Sequence, residues 1–336
     1  MTLHTGYDSP LSRRDAFGSM AATGGLGMAM MQGMTMPAHA AWTPDWDNPK
    51  DNLKAFVKLT ARLDSKPFVG WYGGHVFGVV GQTDILKPLF GLEGFGVGQM
   101  TAQPDGTYKS SWKEIGLYKD MATDEIIETW TNPYIDEKVD VLHIQNEAVN
   151  SIIADHYPDL STMAGVGEPG SLVFEMPNYR RAKDPARPFV LPWSVVGDTV
   201  SVWNDFRGRV KNVLDPKTWP RESAGEYIRV SESFLNTGSY KELCNDNPNM
   251  AATGAWNRLA PWLPWMLMGQ SQGFLFYRCS TRKLEKFEEL PPKILKYAEK
   301  NLAKYLDYNT PWKLPNESSF EVFKKMRKPT PPKVNG

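Results

Sequence analysis

The sequence predicts a mainly β protein: an antiparallel sheet curled into a barrel or sandwich, with helices at the two ends of the fold. Three observations carry this. About nine or ten short runs alternate apolar and polar residues or are rich in β-branched and aromatic side chains. Turn residues separate them, as in Pro104-Asp105-Gly106-Thr107, Ala122-Thr123-Asp124-Glu125 and Asn132-Pro133. Strand–helix alternation is missing, which argues against a doubly wound parallel sheet.

The N-terminus stands apart. Ser12-Arg13-Arg14-Asp15-Ala16-Phe17 leads into an apolar, Gly- and Met-rich run that ends at Met36, and Pro37-Ala38-His39-Ala40-Ala41 follows. Paired arginines, an apolar middle and small residues at A-x-A spacing make an export signal of the twin-arginine type. Residues 1–40 are therefore expected to engage the twin-arginine export machinery and to be cleaved, which places the protein in the periplasm. The remainder reads as one β-barrel-type domain over 41–308 and a Pro-rich tail over 309–336.

Within the domain, Asn48-Pro49 reads as a helix cap followed by proline at the first helical position, and Leu53, Phe56, Val57, Thr60 and Leu63 fall on one face. Phe68 to Gly81 is β-type and carries His75. Gly91 to Gly98 is glycine-rich, but its spacing is not that of a dinucleotide site, and strand-like sequence follows, so it reads as a bent strand or loop. Tyr108 to Asp120 alternates with Tyr108, Trp112 and Tyr118 in phase. Ile126 to Trp130 and Val139 to Asn146 follow, and the second carries His143. Further strands are expected at Ser171 to Met176, Phe189 to Trp203, Glu226 to Leu235 and Gln272 to Cys279. Leu290-Pro291-Pro292 opens a helix whose apolar stripe is Ile294, Leu295, Ala298, Leu302 and Leu306.

The densest aromatic stretch is Trp256-Asn257-Arg258-Leu259-Ala260-Pro261-Trp262-Leu263-Pro264-Trp265-Met266-Leu267-Met268-Gly269. Its prolines rule out a helix there, so it reads as an extended or irregular segment with very large side chains. It is either a packed plug at one end of a barrel or a wall of an apolar pocket, with Arg258 and Asn257 as the polar contacts.

Composition excludes several classes. The formal net charge is zero and no basic block occurs, so no nucleic-acid partner is expected. No other apolar run is long enough for a membrane span. The histidines left after cleavage, His75, His143 and His156, show no zinc spacing, and Cys244 and Cys279 form no C-x-x-C. There is no G-x-S-x-G serine elbow. No metal and no organic cofactor is expected. The two cysteines allow one disulfide in an oxidising compartment, with free buried thiols as the alternative.

Several stretches resemble one family: Tyr118-Lys119-Asp120 through Thr123-Asp124-Glu125 to Trp130-Thr131-Asn132-Pro133, Val139 to Asn146, and Trp256-Asn257-Arg258 with Trp262-Leu263-Pro264-Trp265-Met266. Together they are similar to the family known as domain of unknown function 1838. The resemblance covers most of the chain after residue 40, and it implies an antiparallel, lipocalin-like barrel. It further associates exported members with bacterial breakdown of plant aromatic dimers.

The residue reading and the resemblance together give one functional expectation. The protein is a periplasmic, cofactor-independent enzyme of lyase type, acting on a hydrophobic phenolic diaryl compound with release of formaldehyde. His143, His75 or Tyr227 would abstract a proton and Arg258 would stabilise a phenolate. Trp256, Asn257, Trp262, Trp265, Met266, Trp193, Asn146 and Tyr118 would contact the substrate. The alternative is a lipocalin-like carrier that binds such a molecule and leaves it unchanged. Nothing in the sequence sets the oligomeric state.

Overall fold

A computed structural model describes residues 42–81, 85–156, 173–175, 188–309 and 317–332. The chain divides into two units, 1–40 and 41–336, and everything described belongs to the second. The expected export signal and most of 157–187 lie outside the described residues.

The helix α1 spans Pro49–Thr60, with the Asn48 side chain accepting from the Lys50 backbone N–H at 3.0 Å. Twelve strands follow among the described residues: β1 Phe68–Val80, β2 Lys87–Ala102, β3 Tyr108–Lys119, β4 Thr129–Asn132, β5 Glu137–Asp140, β6 Ile144–Ile153, β7 Val173–Glu175, β8 Trp193–Val196, β9 Thr199–Lys211, β10 Tyr227–Ser239, β11 Thr253–Ala260 and β12 Gly273–Leu284. A short helix α2, Tyr240–Cys244, links β10 to β11, and α3, Pro292–Asn301, and α4, Ser319–Met326, end the chain. No helix among the described residues is long and apolar enough to cross a membrane.

Ten strands make one antiparallel sheet in the order β6-β3-β2-β1-β12-β11-β10-β9-β7, with β8 also paired to β9. β4 and β5 form a separate hairpin. The mainly β, antiparallel expectation holds. The sheet path runs from β6 to β7 without closing, so among the described residues its hydrogen bonds make an open sheet and no closed barrel.

Alternation along the strands assigns the two faces. On β1–β3 one face carries Val69, Phe95, Val97, Ile115 and Leu117, which pack beneath Ile294 and Ala298 of α3. The other face carries Tyr72, Glu114 and Tyr118 and looks into the concave side. Gly94 and Gly96 of β2 leave room there for flat-lying rings. A Cβ at Gly94 would overlap the Ile115 carbonyl and sit 2.7 Å from the Tyr72 ring, and one at Gly96 would overlap the Trp112 indole. The glycine-rich run is thus an uninterrupted strand whose missing side chains make room for its neighbours' aromatics.

α1 packs Leu53, Phe56 and Leu59 against Phe68, Met100, Val200 and Val202. Lys283 ties this helix down by donating to Lys58 O at 2.9 Å and Ala61 O at 2.8 Å. Elsewhere the segment after β11 packs Trp262, Trp265 and Met266 into the main core, where Trp262 is 1% exposed. Asn132, at the Asn-Pro signal that ends β4, donates to Met266 O at 2.8 Å and pins this segment.

Some elements differ from the sequence reading. Trp256 to Ala260 is regular strand, and irregularity begins only at Pro261. Phe189 to Trp203 is a hairpin of β8 and β9, reversed at Gly197 with φ +60°. Val139 to Asn146 is divided between β5 and β6. The break falls where the His143 Nδ1 accepts the Tyr118 backbone N–H at 3.2 Å, so an imidazole takes the place of a ladder carbonyl. The tail contains α4, started by a capping box between Ser318 and Glu321. Cys244 and Cys279 are buried and free, and burial pushes the Cys279 thiol up to about 12, which suppresses thiolate chemistry.

Candidate functional site

One cross-strand row organises the concave face. Tyr277 of β12 lies opposite Arg258 of β11, Arg258 opposite Glu232 of β10, and Glu232 opposite Phe206 of β9. The next row sets Trp256 opposite Phe234. Arg258, Glu232, Phe206, Trp256 and Phe234, with Tyr72, Trp112 and Glu114 from the other half of the sheet, line a chamber of about 490 Å³. That is the size of a small-molecule site.

Arg258 is its polar centre. Its Nη1 pairs with Glu232 Oε1 at 3.3 Å, and the guanidinium carbon lies 5.7 Å from the Tyr277 ring centroid. Trp256 Nε1 donates to the other Glu232 oxygen at 3.2 Å. About a quarter of the Arg258 side-chain surface stays accessible, at 26%, although the residue sits deep in the fold. That residual access is to the chambers it lines. Burial works against its charge, but Glu232, Tyr277, Tyr118 and Glu114 outweigh it, and the guanidinium holds its proton more firmly than usual.

A second carboxyl faces this pair. Glu114 accepts from Trp112 Nε1 at 3.0 Å and from Asn146 Nδ2. Burial raises its pKa, and the nearby Glu232 adds to the rise, whereas the two hydrogen bonds and Arg258 pull it down; the net shift is upward. The site therefore holds two carboxyls in unequal settings: Glu232 paired to a cation, and Glu114 biased towards the protonated form.

A smaller chamber of about 170 Å³ adjoins the first, and Arg258, Asn146 and Val149 border both. α4 supplies part of its wall through Ser319, Phe320 and Phe323. The Asn146 side-chain oxygen accepts from the Ser319 backbone N–H at 2.8 Å and from its hydroxyl at 3.0 Å.

Of the residues singled out from sequence, Arg258, Trp256, Asn146, Tyr118, Trp265 and His143 come together around these two chambers. Trp262 and Met266 lie in the core behind them. The others lie elsewhere. His75 and Asn257 sit on the convex face, in one row with Arg278 between them. Tyr227 faces an open groove on that same side, with Arg209 stacked over its ring at 3.8 Å. Trp193 stacks on Trp46 at 4.7 Å and donates to Asn52. Glu114, Glu232, Tyr72, Trp112 and Tyr277 were not singled out from sequence. Among the described residues no group of three or more His, Cys, Asp or Glu could hold a metal ion.

His143 has a specific state here. Its Nδ1 lone pair is occupied by the Tyr118 N–H, so the neutral ring carries its proton on Nε2. Burial depresses its pKa to about 4, against a smaller opposing pull from Glu128. The folded value lies below the unfolded one, so the unfolded chain takes up this proton first. The stability contribution is complete above about pH 6.5 and is lost as pH falls towards 4, amounting to about 3 kcal/mol. His143→Gln keeps an acceptor for Tyr118 and removes the titration. Urea unfolding from pH 7 to 4 should show a visibly flatter loss of stability in the variant, and parallel curves would contradict this assignment.

A family model matches residues 65–327, which contain the whole of the described sheet and the three later helices. The chain belongs to the family described as Protein of unknown function (DUF1838). Searches of curated proteins and of solved structures found no match. In this DUF1838 chain the matched span contains every residue of both chambers except Leu59 and Thr60. Residues 1–64 fall outside it.

Proposed function

We propose that this DUF1838 protein is a cofactor-independent carbon–carbon lyase of the periplasm, acting on a phenolic diaryl compound within the barrel-like cup formed by the curved sheet. The observation that supports this most is the trio of Arg258, Glu232 and Glu114 in an aromatic-lined chamber. Arg258 supplies fixed positive charge for a phenolate, and Glu114 is a carboxyl that burial makes hold its proton more firmly than usual, suited to give and take a proton.

For a phenolic 1,2-diaryl-1,3-propanediol the steps balance without a redox partner. Glu114 donates its proton to the benzylic hydroxyl, the C–O bond breaks, and water leaves as the phenolate becomes a quinone methide. The Glu114 carboxylate then takes the proton of the terminal hydroxyl. The adjacent carbon–carbon bond breaks, formaldehyde departs, and the electron pair forms the stilbene double bond and restores the phenolate. Glu114 ends protonated as it began. Trp256, Trp112 and Phe234 supply apolar and aromatic surface for a ring.

The purified protein, incubated with such a diol and no added cofactor, is expected to release formaldehyde and stilbene in equal amounts, and the O-methylated phenol should be inert. No formaldehyde and no stilbene absorbance would remove the lyase reading. Recovery of the diol unchanged but bound in stoichiometric amount would favour the carrier.

A further inference from the structure

We infer that the smaller chamber is a distinct subsite for one hydroxyaromatic ring, with the ring's oxygen received by three otherwise unpartnered N–H donors. These are Arg258 Nε, His143 Nε2 and Trp265 Nε1. All three atoms are buried without a hydrogen-bond partner, and all three side chains line the chamber. An unmet buried donor costs roughly 1–3 kcal/mol. Three around one small space are arranged for a guest that accepts hydrogen bonds. His143 belongs to this set because its Nδ1 is already used, which leaves Nε2 as a donor.

Size and lining narrow the guest. The chamber of about 170 Å³ is comparable to the ~150 Å³ apolar cavity that accommodates benzene. Apart from Asn146, Ser318 and Ser319, its remaining walls are apolar or aromatic, with Leu142, Ile144, Leu263, Phe320 and Phe323. A single ring fills such a space, and one oxygen on it meets the donors. Choosing a phenol, over another oxygen acceptor of that size, rests on the function proposed above. The donor set does not. Because Arg258 borders both chambers, a diaryl substrate would place its phenolic ring in the small chamber and its second ring in the large one, with the scissile chain beside Glu114.

The probes are phenol and toluene, alike in size and differing in the acceptor oxygen. Titration of each into the full protein by calorimetry is expected to show phenol bound at least roughly tenfold more tightly, the worth of one good hydrogen bond to a buried donor. Trp265→Phe and His143→Gln should each reduce the preference for phenol over toluene by about tenfold. Toluene binding also reports that each variant keeps its chamber. Toluene binding as tightly as phenol, or neither binding, would overturn the subsite. Phenol binding without turnover of the diol would leave the subsite standing and remove the lyase; turnover without phenol binding would do the reverse.

Discussion

Arg258→Met is expected to lower kcat/KM on a phenolic diaryl diol about a thousandfold, the range seen when a preorganised donor to a developing oxyanion is removed. The same change should destabilise the fold by about 3 kcal/mol, because it leaves the Glu232 carboxylate inside the sheet without its cation. The two effects separate in the double variant with Glu232→Gln. Removing both charges restores most of the stability, since the remaining amide can still accept from Trp256 Nε1. It cannot restore the phenolate partner, so turnover stays low. Urea midpoints and steady-state kinetics on the parent and the two variants measure both quantities. A double variant that recovers activity along with stability would show that Arg258 serves only to neutralise Glu232.

Gly94→Ala should cost about 3 kcal/mol, the upper end of the range for overpacking. The added methyl would be wedged between the Ile115 carbonyl and the Tyr72 ring. Those two groups are joined, since the Tyr72 hydroxyl donates to Ile115 O at 2.9 Å, so neither can withdraw without breaking that bond and the pairing of β2 with β3. The control is Gly91→Ala on the same strand. Its Cβ would meet nothing closer than 3.5 Å, and its stability should stay within about 0.5 kcal/mol of the parent. Equal midpoints for the two variants in urea would refute the packing argument.

What could be read in advance depended on whether the signal was local. The first helix was legible because Asn48-Pro49 carries its own start instruction. The hairpin turns were legible for the same reason. The Ser318-to-Glu321 capping box was equally local and marks α4, but the prolines around it made the tail read as irregular. The site was legible only in part. Arg258 and Trp256 stood out because an arginine among tryptophans demands a partner. Glu232 did not, because on β10 it alternates with Tyr227, Arg229, Ser231 and Ser233, and that more polar set looked like the face with the chemistry. In the fold that set faces outward, and the face with Ile228, Val230 and Phe234 brings Glu232 in. Glu114 lay hidden for a related reason. A carboxyl on an alternating strand resembles a solvated one until β3 and β10, far apart in sequence, are brought to face one chamber. His143 was noticed as a base, yet its use as a backbone acceptor depends on the register of β3 against the segment entering β6, which no local pattern encodes.

The side chain of Asn146 is fully committed at both ends, one to α4 and one to the Glu114 carboxyl. Acid strength and closure of the small chamber are therefore a single cooperative property. A fluctuation that frays the C-terminal helix loosens the amide and, with it, a hydrogen bond that favours the charged form of Glu114. Truncation from the C-terminus would therefore reach the Glu114 carboxyl through Asn146 before it disturbed the sheet.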